Sequence, residues 1–272
     1  MTLKLMYITN NAEIAKIAEK SDVDWIFIDL EINGKEERQG HLDTVISHHN
    51  INDVKRIKNV LNRSVLLVRV NPIFDGSKAE IDKVIDDGAD IVMLPFFKTK
   101  EEVATFVDIV GGRAKTCLLL ETPEAVNNID NILGLSGIDY IHIGLNDLHL
   151  GYGMKFMFEL LADGTVEKIC SKIKDKGIPY GFGGIAQLGQ GDLPTEHVIA
   201  EHHRIGSSMA ILSRSFCNVN KVESINEAEK VFDRGVSEIR EFEEQLQVKE
   251  EDFFEENRLI ARDKINAIRD RK

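Results

Sequence analysis

Cysteine is scarce in this chain. Its three copies, Cys117, Cys170 and Cys217, are far apart, and no two are spaced as CxxC. That excludes a disulfide framework and a zinc knuckle. Cys117 sits in the apolar run Thr116-Cys117-Leu118-Leu119-Leu120 and reads as a buried thiol. Basic charge is also short: 34 Lys and Arg face 46 Asp and Glu, for a formal net charge of -12. Nucleic acid and anionic membrane both reward Lys/Arg surfaces, so neither is expected as a partner. A small anionic substrate stays admissible, because a metal ion and buried cations reverse the sign locally. No apolar window approaches the roughly 18 residues of a membrane span, and the N-terminus shows no basic stretch leading into a long apolar one. A cytoplasmic location is expected. Also missing is a Gly-rich fingerprint after the first strand-like run, where Ile8 leads into Thr9-Asn10-Asn11-Ala12. This argues against a doubly wound dinucleotide-binding sheet.

What is present is enough apolar material for one large core: 43% of 272 residues. A rule of about 150 residues per domain would suggest two domains, so the pattern has to decide. Strand-like apolar runs occur at 3–8, 24–30, 65–71, 90–95, 115–121, 138–144, 179–183 and 206–212. Helix-like stretches lie between them, among them 11–20, 77–87, 100–110, 123–133 and 167–176. In 100–110 the apolar residues Val103, Phe106, Val107 and Val110 recur at helical spacing. The strand-like runs are continuously apolar, as expected of parallel strands covered outside by helices. Eight βα units without a break predict an α/β fold, a (β/α)₈ TIM barrel over residues 1–220. Residues 221–272 are densely charged and contain no strand-like run. They are expected to form a helical extension, with Val231, Ile239, Phe242, Leu246, Phe253, Phe254, Leu259, Ile260 and Ile265 as an apolar stripe. Most of its charge should face solvent, while Phe253-Phe254 needs burial, a partner subunit being one way to provide it.

Chemistry in such a barrel sits at the C-terminal ends of the strands. The polar residues ending the apolar runs are Asp29 and Glu31, Arg69, Glu121, and Asp147 after Ile143-Gly144-Leu145-Asn146. A carboxylate directly after three leucines, as Glu121 is, is costly to bury unpaired. A metal or an arginine would offset that cost; a cap on the helix near Pro123 is the plainer alternative. Asp147 faces the same choice, as a ligand or as a cap for the following helix. Two carboxylates at adjacent strand ends suit a hard cation such as Mg²⁺ or Mn²⁺. Arg69 has a planar fork suited to a substrate carboxylate or an enolate oxygen, or else to a structural pair with Asp29 or Glu31. Gly144, Leu145, Asn146 and Asp147 offer backbone N–H groups at a helix start, a site for an anion. Gly183-Gly184 would allow close backbone approach.

Together these blocks resemble the HpcH/HpaI aldolase and citrate lyase β-subunit family of phosphoenolpyruvate/pyruvate-utilising barrels. The resemblance rests on Asp24-Trp25-Ile26-Phe27-Ile28-Asp29-Leu30-Glu31, Val68-Arg69-Val70-Asn71-Pro72, Gly88-Ala89-Asp90-Ile91-Val92-Met93-Leu94-Pro95, Leu120-Glu121-Thr122-Pro123-Glu124-Ala125 and Ile143-Gly144-Leu145-Asn146-Asp147-Leu148. They fall in order over residues 24–150, with a looser match to about 217. The resemblance implies a divalent metal, Mg²⁺ or Mn²⁺, held by Glu121 and Asp147. It implies Arg69 at the enolate oxygen and the amides of Asn146 and Asp147, beside Gly144, as the substrate carboxylate pocket. It further implies a homo-oligomer, a hexamer or trimer of dimers, which the apolar stripe after Lys221 would suit. One position departs: the histidine base that follows the acidic strand-two motif in the family's aldolases is Ile32 here. The base is therefore sought in His41 or Glu31, with Lys35 and Arg38 as loop cations. His142 reads as a core imidazole, His149 as either near the mouth or on a helix surface, and the pairs His48-His49 and His202-His203 as solvated. The expected activity is a metal-dependent carbon–carbon lyase or aldolase acting through a pyruvate-like enolate on a small 2-oxo acid. A citryl-CoA-type lyase or citrate-forming enzyme is the alternative, and a barrel that has lost catalysis and serves as a scaffold is a third.

Overall fold

The computed structural model describes residues 2–33, 49–218, 222 and 224–272. Strands β1 (Lys4–Ile8), β2 (Trp25–Asp29), β3 (Val65–Arg69), β4 (Ile91–Leu94), β5 (Lys115–Leu120), β6 (Tyr140–Ile143), β7 (Tyr180–Ile185) and β8 (Met209–Leu212) run parallel in chain order. β8 pairs back onto β1 and closes the barrel. Around it lie α1 (Ala12–Lys20), α2 (Ile51–Lys58), α3 (Ser77–Asp86), α4 (Lys100–Val110), α5 (Pro123–Asn127), α6 (Ile129–Ile132), α7 (Leu145–Gly151), α8 (Glu159–Ala162), α9 (Thr165–Lys174), α10 (Thr195–Ile205), α11 (Ile225–Leu246) and α12 (Glu251–Arg269). Seven of the eight apolar runs read from the sequence contain one of these strands, and the run 179–183 overlaps β7, which continues two residues further to Ile185.

The strands are apolar throughout because both of their faces are buried. Alternate residues, Met6, Trp25, Phe27, Leu67, Met93 and Leu119 among them, fill the barrel interior. The intervening ones, such as Ile26, Ile28, Leu66 and Val68, pack outward against the helices. Burying each large side chain contributes roughly 2 kcal/mol. Helix α4 shows how local signals set element ends. Thr99 and Glu102 form a capping box at its start, and Gly111, at φ +57°, ends it in a left-handed turn. The stretch 123–133, expected as one helix, is two short ones. Asn128 leaves helical geometry between them and donates from Nδ2 to the Lys98 carbonyl at 3.0 Å.

The C-terminal helices pack on the barrel's own helical layer, α11 beside α1 and α12 across α8 and α10. Phe232 and Ile239 of α11 are buried, and the Phe232 ring meets Tyr7 edge-on at 4.8 Å between centroids. Leu259 and Ile260 remain exposed. Among the described residues, no helix is long and apolar enough to cross a membrane.

Glu243 ties α11 to the chain's start. Its carboxylate accepts from the Leu3 amide at 2.6 Å and from Arg240 Nη1 at 2.8 Å. Burial pushes this carboxyl up, but the nearby His203 imidazole and the hydrogen bonds from Leu3 and Arg240 outweigh burial and hold it below the usual range. A depressed folded-state pKa contributes stability above the unfolded value of about 4.3, and that stability is lost as pH falls through the folded value. Glu243→Ala should therefore cost about 3 kcal/mol near neutral pH, and the difference from wild type should shrink in acid. Urea titrations of both proteins at several pH values measure it.

Candidate functional site

The barrel's register brings the sequence-predicted residues together in two groups at the C-terminal mouth. In the first, Asp29 at the end of β2 stands opposite Arg69 at the end of β3. Arg69 donates from Nε to Asp29 Oδ1 and from Nη2 to Oδ2, both at 2.8 Å. Its Nη1 lies 3.3 Å from Glu31 Oε2. Burial alone would lower the guanidinium's pKa; Asp29, Glu31 and Glu121 reverse that and hold it firmly charged. Of the alternatives left open for Arg69, the structural ion pair is present. Its Nε–Nη2 edge is committed to Asp29, so a bidentate grip on substrate from that edge is ruled out. The Nη groups carry further N–H bonds suited to one oxygen.

The second group surrounds Glu121, one residue past β5 and only 3% exposed. Its Oε1 accepts from the Phe96 amide at 3.0 Å. Phe96 takes φ +50° to present that amide, a left-handed conformation costing on the order of 1 kcal/mol. Gly144, at the end of β6, leaves the space Glu121 fills: a Cβ there would lie 2.7 Å from Glu121 Oε2. Asp147 lies in the first turn of α7, which starts just after Gly144, and Asn146 precedes it, both half-buried. Glu121 and Asp147 line one cleft of about 430 Å³ together with Phe96, Lys98, Glu124 and Leu150.

No cluster of three or more His, Cys, Asp or Glu able to hold a metal occurs among the described residues. The Glu121–Asp147 pair still fits one kind of ion. Mg²⁺ is commonly bound through one or two carboxylates, the rest of its shell being water and substrate. The absence of a Cβ at Gly144 makes the room that Glu121 Oε2 occupies beside the start of α7.

The remaining predicted positions separate. His41, with Lys35, Arg38 and His48, lies outside the described residues. Ile32, where a histidine base was sought, projects its side chain into solvent at 60% exposure. Its amide is fixed by Asn71 Oδ1 at 2.9 Å. His49, taken as solvated, is instead half-buried, its Nδ1 accepting from the Asp29 amide at 3.0 Å. His202 and His203 are likewise not a solvated pair. His202 is fully buried, stacked 3.8 Å above Phe182 and bonded to Ser207 Oγ. His203 points toward Glu243, at 3.9 Å. His149 is buried, its Nδ1 3.1 Å from the Leu145 carbonyl of its own helix. His142 is a core imidazole, with Nε2 3.1 Å from the Gly183 carbonyl, and burial pushes its pKa down to about 4. Gly183 itself requires glycine's freedom, at φ +55°. Phe96 and Lys98 were not singled out from the sequence; the available signal was their position directly after the β4 run.

The model of the HpcH/HpaI aldolase/citrate lyase family matches residues 4–177. The chain belongs to this family. A 2-keto-3-deoxy-L-rhamnonate aldolase from Shigella dysenteriae serotype 1 is 26% identical over 212 residues, covering 65% of this chain and 73% of that protein. Among solved structures, an HpcH/HpaI aldolase from Desulfitobacterium hafniense DCB-2 aligns with TM-score 0.61 at 18% identity, over 78% of this chain and 86% of that one. The citrate synthase SbnG also aligns with TM-score 0.61 at 18% identity, over 84% and 94%. These likenesses place the chain in an aldolase and lyase family and give it the (β/α)₈ fold.

The Arg69–Asp29 pair generates a stability prediction independent of any substrate. Asp29→Ala leaves the guanidinium in place without its bidentate partner and should cost about 3 kcal/mol. Chemical denaturation of the variant measures it; a loss below about 1 kcal/mol would show that Glu31 alone suffices.

Proposed function

We propose that this protein is a divalent-metal-dependent carbon–carbon lyase, an aldolase that works through a pyruvate-like enolate on a small 2-oxo acid. The observation that supports this reading is the shared cleft of Glu121 and Asp147, with the missing Cβ of Gly144 making the room that Glu121 Oε2 occupies. In it, Glu121 and Asp147 would hold Mg²⁺ or Mn²⁺. The bound ion would supply Lewis-acid polarisation of the oxo-acid's carbonyl. The chain's own groups do the rest. First-turn amides of α7, at Asn146 and Asp147, have no acceptor within a helix and are positioned for the substrate carboxylate. Arg69, kept charged by Asp29 and Glu31, directs an Nη N–H at the oxygen on which negative charge develops.

In the cleavage direction a base takes the proton of the hydroxyl on the carbon being released. The carbon–carbon bonding pair passes to the oxo-acid as its enolate, the aldehyde leaves, and the proton returns to the enolate carbon. With isoleucine at position 32, the proton carrier is a water or His41. A homo-oligomer, which the family resemblance implies, would have the exposed Leu259 and Ile260 of α12 as apolar surface.

Purified protein with Mg²⁺ and pyruvate in D₂O should exchange the methyl protons, followed by NMR. Chelator should abolish the exchange, and Glu121→Gln should reduce it about a hundredfold or more. Absence of exchange with every divalent metal tried would overturn the enolate reading and favour the thioester or scaffold alternatives. Arg69→Lys keeps the charge but lacks the planar fork, and kcat should fall about a hundredfold with little change in the oxo-acid's KM. Near-normal turnover in that variant removes Arg69 from the mechanism.

A further inference from the structure

The cleft that holds Glu121 and Asp147 is lined by a second charged pair. Lys98 follows β4 and Glu124 lies in the first turn of α5, and both line the same cleft as the two carboxylates. Lys98 Nζ lies 3.0 Å from Glu124 Oε1 and 5.6 Å from the centroid of the Phe96 ring. The ammonium holds the Glu124 carboxyl below the usual carboxylate range. Phe96, Pro123 and Leu150 supply apolar wall to the same cleft.

Both residues of this pair stand on anchored backbone. The Lys98 amide donates to Glu102 Oε2 at 2.7 Å, and its carbonyl accepts from Asn128 Nδ2 at 3.0 Å. Thr122 caps the helix that carries Glu124 and donates from Oγ1 to the Phe97 carbonyl at 2.8 Å. The two loops are thus bonded to one another, and the positions from which Lys98 and Glu124 extend are set. The side chains themselves are largely in solvent, where an ion pair is weak and readily exchanged for other polar partners.

Charge then decides what this pair accepts. Lys98 is the one cation among the described residues lining the cleft, against the carboxylates Glu121, Asp147 and Glu124. A divalent ion brings that lining to formal neutrality, and the oxo-acid's own carboxylate makes it negative again. Among the described lining residues, a second carboxylate on the substrate would meet Lys98 as the one cation, which Glu124 already neutralises. An uncharged chain of hydroxyls meets a donor at Lys98, an acceptor at Glu124 and an apolar face for its carbons.

We infer that Lys98 and Glu124 form the acceptor subsite and select an uncharged, hydroxyl-bearing aldehyde over one that carries a carboxylate. This rests on the enolate reading of the Glu121 and Asp147 pair. Pyruvate addition, with Mg²⁺, is measured as kcat/KM for glyceraldehyde, propanal and glyoxylate. The wild-type protein favours glyceraldehyde over both others by about tenfold or more. Lys98→Ala and Glu124→Ala each bring the glyceraldehyde-to-propanal ratio within about threefold of unity. Glu124→Ala also raises the relative rate with glyoxylate, because it releases the Lys98 charge; a merely structural role would not move that ratio. Preference of the wild type for glyoxylate, or a glyceraldehyde-to-propanal ratio unchanged in both variants, overturns the inference. Methyl exchange of pyruvate needs no aldehyde and separates the two failures. Exchange without the expected selectivity removes only the acceptor assignment, whereas no exchange removes both.

Discussion

A guanidinium inside a barrel of apolar strands is tolerable because Asp29 meets it across the strand pair, with Glu31 beside it. That pairing is set by parallel register: β2 and β3 align Asp29 with Arg69, and the same alternation that sends Phe27 and Leu67 inward sends these two to the mouth. Much of the site's order follows. Arg69 cannot turn away without leaving buried charge behind, and the field it provides extends to Glu121 as well as to its two direct partners. Buried ion pairs are weak evidence of stability, since desolvation cancels much of their attraction. The persistence of one at a barrel mouth is better accounted for by what it positions there.

Strand placement was legible from the pattern of apolar runs, because covering both faces of a parallel sheet demands that they be continuous. Fold class followed from their number and spacing. Helix detail was less legible. Nothing in the periodicity of 123–133 marks Asn128 as a break; the break comes from a side-chain bond to the Lys98 carbonyl in another loop. The histidines fail for a related reason. His202 lies on the face of α10 that also carries Val198 and Ile199, and packing against Phe182 offsets the cost of burying its ring. His49 is recruited by an amide at the end of β2, twenty positions away along the chain. Contacts between distant segments decide both, and adjacency in sequence does not encode them.

The candidate site divides the same way. Glu121, Asp147 and Arg69 were readable because each is a charged residue ending an apolar run, a costly place to put charge without a reason. The pairing of Glu121 with Asp147 followed from their adjacent strand ends, and they do line one cleft; for Arg69 the sequence left substrate and a pair with Asp29 or Glu31 both open, and the bidentate bond to Asp29 is present. Gly144 was read as part of an anion pocket of backbone N–H groups at a helix start, a role that says nothing of the side chain beside it. Its importance appears only when the space its missing Cβ leaves is seen to be filled by Glu121.

The two halves of the proposed reaction are held by different kinds of structure. Glu121, Gly144 and Arg69 belong to strand ends, where neighbouring strands hydrogen-bond the backbone and packed layers lock the side chains. Ile32 opens a loop, and although Asn71 fixes its amide, the side chain it presents to solvent cannot carry a proton. Enolate stabilisation tolerates little displacement, since its energy depends on donors aimed at one developing charge. Proton transfer can pass through a water and so tolerates a change of donor residue. A barrel of this kind can therefore exchange its base, or reshape its acceptor subsite at Lys98 and Glu124, without disturbing the strand-borne half. Isoleucine at position 32 is then compatible with a working site, provided another group reaches the same proton.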